Sequence, residues 1–594
     1  MKIISVIMSF VAVLSATVVL ILAIHHHNVG KSSAETIVKK PDVTPTKVIR
    51  TSDPQVGQLV MDKPPPVVIP PPPVQTEPLP SVPEPPSAPP VPTPPKPEVF
   101  YDANSSVTWA VGDLLTFPKH DQKYMRYFSL YNIPREKRRE YAAVLSFVCN
   151  SLGTRRKMYI PEFVGASNET LIRIDIRNYE WTTEAWEKLG LNGSGVRPSP
   201  EPYFHYIIDK PILEKVKRKV IEKVPYTDGS IRDVETEVEE VVATKRRLVT
   251  EIAPWLDRIG NQALYDMTCS CFPIFRADWF IANAIVPPAY YDFLRLGNKG
   301  ADFDKLIFAD EALAKKARSQ DKAVVIASIV ARNNRTLNRS PTFTSGYIWR
   351  SHDSLKSVDN RDYVKFILDE TFDATEDIGS LPNGLQAYFL TDGKGNRLDF
   401  ANPDIAIDFT AADKLVRTGR SCMICHSDGI RPISDEIRSL TRKLQNPKEV
   451  QLLITRKEDA YRIEDLFSSD LDEQIIKDQN YYRAAVGRAT GLQSEVIAKL
   501  INEIYNNYIE RLMTAEDIAR EVGIEVNNLE PYIKASKDNV VLGLLKTPIR
   551  AIRRDQWEFS FSRFTILVHA RRQGLDHADP YPPGPLIELP KKHE

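Results

Sequence analysis

The sequence predicts an α+β multidomain protein in four parts: an N-terminal transmembrane helix, a proline-rich stalk, an α+β body and a mainly helical C-terminal domain. Three observations carry that expectation. Residues 3–24 hold no charged side chain, and residues 64–97 hold 18 prolines in 34 positions. Beyond residue 99, strand-like alternation and helical spacing succeed one another to about residue 410, after which helical patterns dominate.

The first part, 1–24, contains "IISVIMSFVAVLSATVVLILAI", 22 uncharged residues. That run is long enough to cross a bilayer and too long for the apolar region of a cleaved signal. It reads as a signal anchor, with a cleaved signal as the alternative. Lys2 precedes it and Lys31, Lys39 and Lys40 follow, so charge alone does not orient the span. The second part, 25–98, is dominated by "PPPVVIPPPPVQTEPLPSVPEPPSAPPVPTPPKP". Proline fixes φ and removes the N–H donor, so polyproline II is expected, a semi-rigid spacer of up to about 100 Å. An anchor followed by a proline-rich stalk resembles the layout of TonB-type energy couplers. His25, His26 and His27 beside the span read as an interfacial polar tract.

The body, 99–410, opens with "EKRREYAAVLSFVCNSL", where Tyr141, Leu145 and Val148 recur at helical spacing. "TLIRIDIRNYEW" alternates as a half-buried strand does, and "TTEAWEKLG" follows as a short helix. Residues 212–250 alternate valine or isoleucine with charge about Asp228 and Gly229, the pattern of a long inserted hairpin. Residues 385–400, "LQAYFLTDGKGNRLDF", suggest a second hairpin. Asp392, Asn396 and Asp399 lack EF-hand spacing and read as a turn. In the last part, 411–594, "SEVIAKLINEIYNNYIERL" predicts a packing helix with Val496, Leu500, Tyr505 and Leu512 near one face. The 78 basic and 78 acidic residues cancel, which argues against nucleic acid as a partner. The aromatic and basic run 550–572 therefore reads as a packed element with a solvated face.

One motif carries chemistry. "GRSCMICHSDGI" places Cys422, Cys425 and His426 as C-x-x-C-H in a chain with five cysteines and ten histidines. From those counts the chance expectation is about 7 × 10⁻⁴. Two thiols three apart on a helical turn face one edge of a porphyrin and add to its two vinyl groups, and the adjoining histidine meets the iron. A zinc site needs further ligands, and no other cysteine or histidine stands within forty residues. A redox dithiol belongs in a βαβ context that the sequence does not show. The expectation is one haem c per chain, with Cys422 and Cys425 as thioethers and His426 as proximal ligand.

The flank "AADKLVRTGRSCMICH" resembles the first helix of small cytochrome c domains, which makes the C-terminal part a cytochrome c-like haem domain. More widely, "SLPNGLQAYFLTDGKGNRLDF" leading into "SCMICH" is similar to large exported c-type cytochrome proteins of planctomycete-type bacteria. "LIRIDIRNYEW", "RADWFIANAIVPPAYYDFLRLG", "NNRTLNRSPTFTSGYIWRSHD" and "AEDIAREVG" fit the same pattern, so the resemblance runs from about residue 130 to 540. The resemblance implies the haem motif and export, and no substrate. Ile424, the charged insert and the proline stalk depart from it. Because haem c is attached outside the cytoplasmic membrane, the resemblance implies a single-pass bacterial membrane protein with its body in the periplasm or an equivalent compartment.

Met513, 87 residues past His426 and just before a possible N-cap at Thr514, is one candidate for the sixth ligand. His352 and His569 are others, and an open position is a further alternative. Cys149 is expected either to pair with Cys269 or Cys271 or to lie free and buried. No acid–base set is legible near the motif, and Asp428 and Asp435 read as helix-start or surface charges. Electron transfer with redox protein partners is therefore the function the sequence supports. A haem enzyme or sensor with an open iron position and a structural or energy-coupling protein of TonB-like layout are the alternatives.

Overall fold

The computed structural model describes residues 101–192, 205–225, 230–252, 258–325, 335–353, 372–433, 470–546 and 550–572, with residues 368 and 574 and a few positions between 435 and 467. The expected anchor 1–24 and linker 25–98 lie outside the described residues. Among those described, no helix is long and apolar enough to cross a membrane. The architecture is mixed α+β.

A helix α1 (Ala103–Leu114), capped by the Asp102 carboxylate, leads to strand β1 (Met125–Ser129). Helix α2 (Arg138–Ser151) buries Leu145 and Val148, two of the three residues its spacing singled out, while Tyr141 is partly covered. Strands β2 (Glu162–Phe163) and β3 (Leu171–Asp175) follow, then helix α3 (Thr183–Asn192). The charged insert forms β4 (His205–Pro225) and β5 (Ile231–Ile252), an antiparallel two-stranded sheet of its own. It is longer at both ends than the alternation alone suggested. Next come α4 (Arg258–Thr268), β6 (Ile274–Arg276), α5 (Ala277–Ala284), α6 (Ala289–Leu294), α7 (Gly300–Leu306) and α8 (Glu311–Lys316).

The first body sheet has the order β2-β3-β1-β6. Its two faces feed two hydrophobic cores, because side chains alternate along each strand. Phe128, with its register partners Ile172 and Phe275, enters the first core; Met125, Tyr127, Leu171 and Ile274 enter the second.

A five-stranded antiparallel meander follows: β7 (Asp321–Val325), β8 (Arg335–Pro341), β9 (Tyr347–Asp353), β10 (Ala374–Ser380) and β11 (Gln386–Asp392). The stretch expected as a self-contained hairpin at 385–400 is resolved differently. β11 pairs with the preceding β10, and after the Asp392–Asn396 turn the chain returns only through a bridge between Thr391 and Arg397. Backbone N–H groups of Lys394 and Asn396 donate to the Asp392 carboxylate, so that group closes a turn.

The motif helix α9 (Arg420–Cys425) precedes α10 (Leu471–Thr490) and α11 (Ser494–Ile509). The buried stripe of α11 is Ile497, Ile501, Ile504 and Tyr508, at i, i+4, i+7 and i+11. Of the stripe read from the sequence, Tyr505 is buried and Leu500 packs against the same core, whereas Val496 is exposed and Leu512 lies past the helix in β12 (Leu512–Thr514). Thr514 caps α12 (Ala515–Glu521) through a reciprocal pair with Asp517, as its position suggested. α13 (Leu529–Ala535), α14 (Asn539–Lys546), β13 (Ala551–Arg553) and α15 (Arg554–Arg572) are the last elements among the described residues. α15 buries Trp557, Phe561 and Phe564 in the second core and leaves Phe559 exposed, so the aromatic and basic run is a packing element.

The described helices around and after the motif do not pack apart from the body. Cys422, Met423 and the apolar residues of α10 and α11 share the first core with α2, α5, β9 and β11. Residues Pro95–Glu594 make up one compact unit. The physical reason is that neither the short α9 nor α10–α11 encloses an apolar interior alone; each covers its buried stripe against the body.

Candidate haem-attachment site

The motif is held by what precedes it. Gly419 has φ 85°, and a Cβ there would lie 2.3 Å from the Ile285 carbonyl oxygen and 2.8 Å from the Tyr290 ring. Glycine is required by both conformation and space. Arg420 then drives inward, almost completely buried. It meets Asp408 at 2.6 Å and donates to Asn502 at 2.9 Å, and its guanidinium lies 4.7 Å from the Tyr505 ring centre. Burial pushes the Asp408 carboxyl up, but hydrogen bonds from Ser421 and Thr410 and the Arg420 charge outweigh it and hold it below the usual range. The pair with Asp408 ties α9 to the loop before it, while Asn502, Asn506 and Tyr505 hold the same guanidinium against α11.

Within α9 the two cysteines sit one turn apart. Cys422 is buried among apolar side chains, which pushes its thiol well up. Cys425 is half-buried; burial and then the Glu376 carboxylate raise it, opposed by the Arg431 guanidinium 3.3 Å from Sγ. Both are thiols at neutral pH. His426 caps the helix. Its Nδ1 lies 3.2 Å from the Gly429 carbonyl oxygen, which accepts only if Nδ1 carries the proton. That leaves Nε2 as the nitrogen turned toward the sheet.

Nε2 faces Glu376 Oε1 at 3.8 Å. The other Glu376 oxygen is 3.7 Å from Arg335, which also holds Asp353 at 2.8 Å. Burial raises Glu376, yet the hydrogen bond from His426 and the Arg335 charge bring it below the usual range. Register explains the grouping: Glu376 lies opposite Ser351, so Ser351, Asp353, Trp349 and Ile378 share its sheet face. The same face carries Tyr388, whose ring centre is 6.3 Å from that of His426. A set of ionisable groups at the motif is thus present where the sequence showed none. It comes from β8, β9 and β10, and pairing across the sheet leaves no local signal.

The other expected residues lie elsewhere. Met513 is buried in the second core, opposite Ile552 in the β12–β13 pair, whereas Cys422 belongs to the first. His352 occupies the reverse face of the meander, beside Thr336 and stacked on Phe372. His569 lies half-buried in the last turns of α15. None is brought to His426. Asp428 pairs with Arg483 of α10, and Asp435 accepts from the Val324 N–H at 3.0 Å, so both are structural rather than free surface charges. All five cysteines are free: Cys149 is buried, while Cys269 and Cys271 are exposed. Among the described residues no three His, Cys, Asp or Glu side chains converge to hold a metal ion by themselves.

No protein-family model matches the chain. Over 126 residues, 20% of this chain, the sequence is 30% identical to cilia- and flagella-associated protein 337 B of Tetrahymena thermophila, and the match spans 10% of that protein. No solved structure matches.

Proposed function

We propose that the chain is a membrane-anchored c-type cytochrome that transfers electrons through one haem covalently held at Cys422 and Cys425, with His426 as proximal ligand. The observation that carries this reading is the C-x-x-C-H motif on one helical turn with His426 Nδ1 committed to a backbone carbonyl. That arrangement is the donor set a haem c requires, and it fits. Both sulfurs are thiols, the form that adds across a vinyl group, and Nε2 is the nitrogen left to bind iron. The uncharged span at 3–24 and the proline-rich segment supply the anchor and stalk of the same reading, with the body on the periplasmic or equivalent side.

When bound, the group supplies a one-electron redox couple. The chain's part is to hold and insulate it. Gly419 and the Arg420–Asp408 pair fix α9, Gly429 fixes the imidazole, and Cys422 closes the inner side against the first core. Glu376, pinned by Arg335, faces the His426 nitrogen that would hold the iron.

One observation favours a second reading, a haem enzyme or sensor with an open position: Met513, His352 and His569 all lie away from His426. An optical spectrum of the full chain, made with a cytochrome c maturation system, separates the two. Electron transfer predicts a sharp reduced α-band that carbon monoxide leaves unchanged. A high-spin spectrum with rapid carbon monoxide binding would move the assignment to the second reading.

A further inference from the structure

Three cysteines stand outside the motif, and the fold sorts them. Cys149 is enclosed in α2, where burial pushes its thiol far up. Cys269 and Cys271 flank Ser270 in the turn between α4 and β6, and both are exposed. Cys269 occupies the left-handed region at φ 49°. The turn is tied down by Glu187 of α3, which accepts from the Ser270 hydroxyl and, at 3.1 Å, from the Cys271 N–H.

Beneath this turn lies Arg126 of β1, with no exposed surface. Its Nη1 donates to the carbonyls of Met125 at 2.8 Å and Lys123 at 3.0 Å and reaches that of Thr268, the residue before Cys269, at 3.5 Å. Nε and Nη2 are buried and have no hydrogen-bond acceptor among the described residues. Burial pulls the guanidinium down to about 10, against the pull of Glu187 and Cys269, so it stays charged at neutral pH. Arg126 is thus a fixed cation with spare donors behind the turn that carries the exposed Cys269. Partial burial and the Glu187 carboxylate raise the Cys271 thiol. The two sulfurs are therefore unequal.

We propose that Cys269 and Cys271 form a redox-active dithiol that exchanges with protein disulfides, Cys269 attacking and Cys271 resolving. The Cys269 thiolate attacks one sulfur of the incoming disulfide, forms a mixed disulfide and releases the other half as a thiolate. Cys271 loses its proton and attacks Cys269 Sγ, closing a Cys269–Cys271 bond and releasing the second half. Two thiols of this chain are oxidised, one disulfide becomes two thiols, and the chain's two protons end on the released sulfurs. No haem is needed, so the proposal stands or falls apart from the cytochrome reading.

The full chain, reduced and then equilibrated in glutathione buffers, is alkylated and digested with trypsin. Cleavage after Arg258 and Arg276 isolates 259–276, which contains both cysteines and no other. The expected product is that peptide two hydrogens lighter and closed to alkylation, with Cys271→Ser trapping glutathione on Cys269. Native Cys269 should react with glutathione disulfide faster than in the urea-unfolded chain, by a factor on the order of ten, and Arg126→Met should remove that advantage. The native-to-unfolded comparison decides the matter even where Arg126→Met does not fold. Two separate glutathione adducts in the wild type, a bridge to Cys149, or a native rate no greater than the unfolded one would each overturn the proposal.

Discussion

Replacing Arg420 by methionine should be among the most damaging single changes near the motif, although Arg420 is not one of the three residues proposed to bind haem. Its guanidinium is 1% exposed and meets the Asp408 carboxylate at 2.6 Å, with donors to Thr410, Asn502 and Asn506 besides. Methionine fills much of the volume over Tyr505 but leaves Asp408 largely buried without its cation. Breaking a buried pair from one side costs about 3–5 kcal/mol, because the remaining charge keeps its desolvation penalty. Removing both charges should cost less, so Arg420→Met with Asp408→Asn is expected to recover part of the loss. Urea unfolding of the full chain followed by tryptophan fluorescence measures this, and the haem content of each variant shows whether α9 keeps its place. A loss below about 1 kcal/mol, or a double variant worse than the sum of the singles, would refute the assignment of this pair as the anchor of α9.

Gly419→Ala should destabilise by at least about 2–3 kcal/mol and lower haem incorporation, since the new Cβ meets a backbone oxygen and a fixed ring at a positive φ. Recovery of a wild-type unfolding midpoint would show that the turn relaxes freely. Asp408, held below its ordinary range, contributes stability that is fully present above its unfolded value near about pH 4 and lost as pH falls through its lower folded value. Wild type should therefore lose stability more steeply than Asp408→Asn below about pH 4 in acid titrations; parallel curves would contradict this. Met513→Ala should cost about 2–5 kcal/mol as a core truncation and leave the haem absorption bands in place. A shift to a high-spin spectrum would identify Met513 as an iron ligand and overturn its placement in the second core.

What the sequence made legible was local. The spacing of Leu145 and Val148, the alternation in Leu171–Asp175, the charged hairpin and the Thr514 cap each depend on residues within one or two turns of each other. All four reappear in the fold. The misreadings share a cause as well. The α11 stripe was misplaced at its two ends, Val496 and Leu512, because "EVIAKLINEI" offers two overlapping apolar faces and only the neighbouring helices choose between them. β11 looked like half of a local hairpin, while its partner β10 precedes it and the turn at Asp392 carries no second strand. The C-terminal haem domain was expected from the motif, its flank and the helical patterns after it, none of which reveals that α10 and α11 share a core with α2 and α5. At the site itself Cys422, Cys425 and His426 were legible from spacing alone. Glu376, Arg335 and Asp353 were not, because β-sheet register brings residues 50 to 91 positions before His426 to its side. The pairing alternatives for Cys149 depended on compartment, whereas its depth in α2 keeps it away from the surface turn that carries Cys269 and Cys271.

The central claim is covalent attachment at the motif, and a haem stain on a denaturing gel tests it most directly. The full chain, made with a cytochrome c maturation system, should carry stain at its own mass through boiling and detergent, with one haem per chain by pyridine haemochrome. Cys422→Ala and Cys425→Ala should each abolish or strongly reduce it, whereas Met513→Ala should not. A wild-type band without stain, from protein that is folded and exported, would contradict the account at its root.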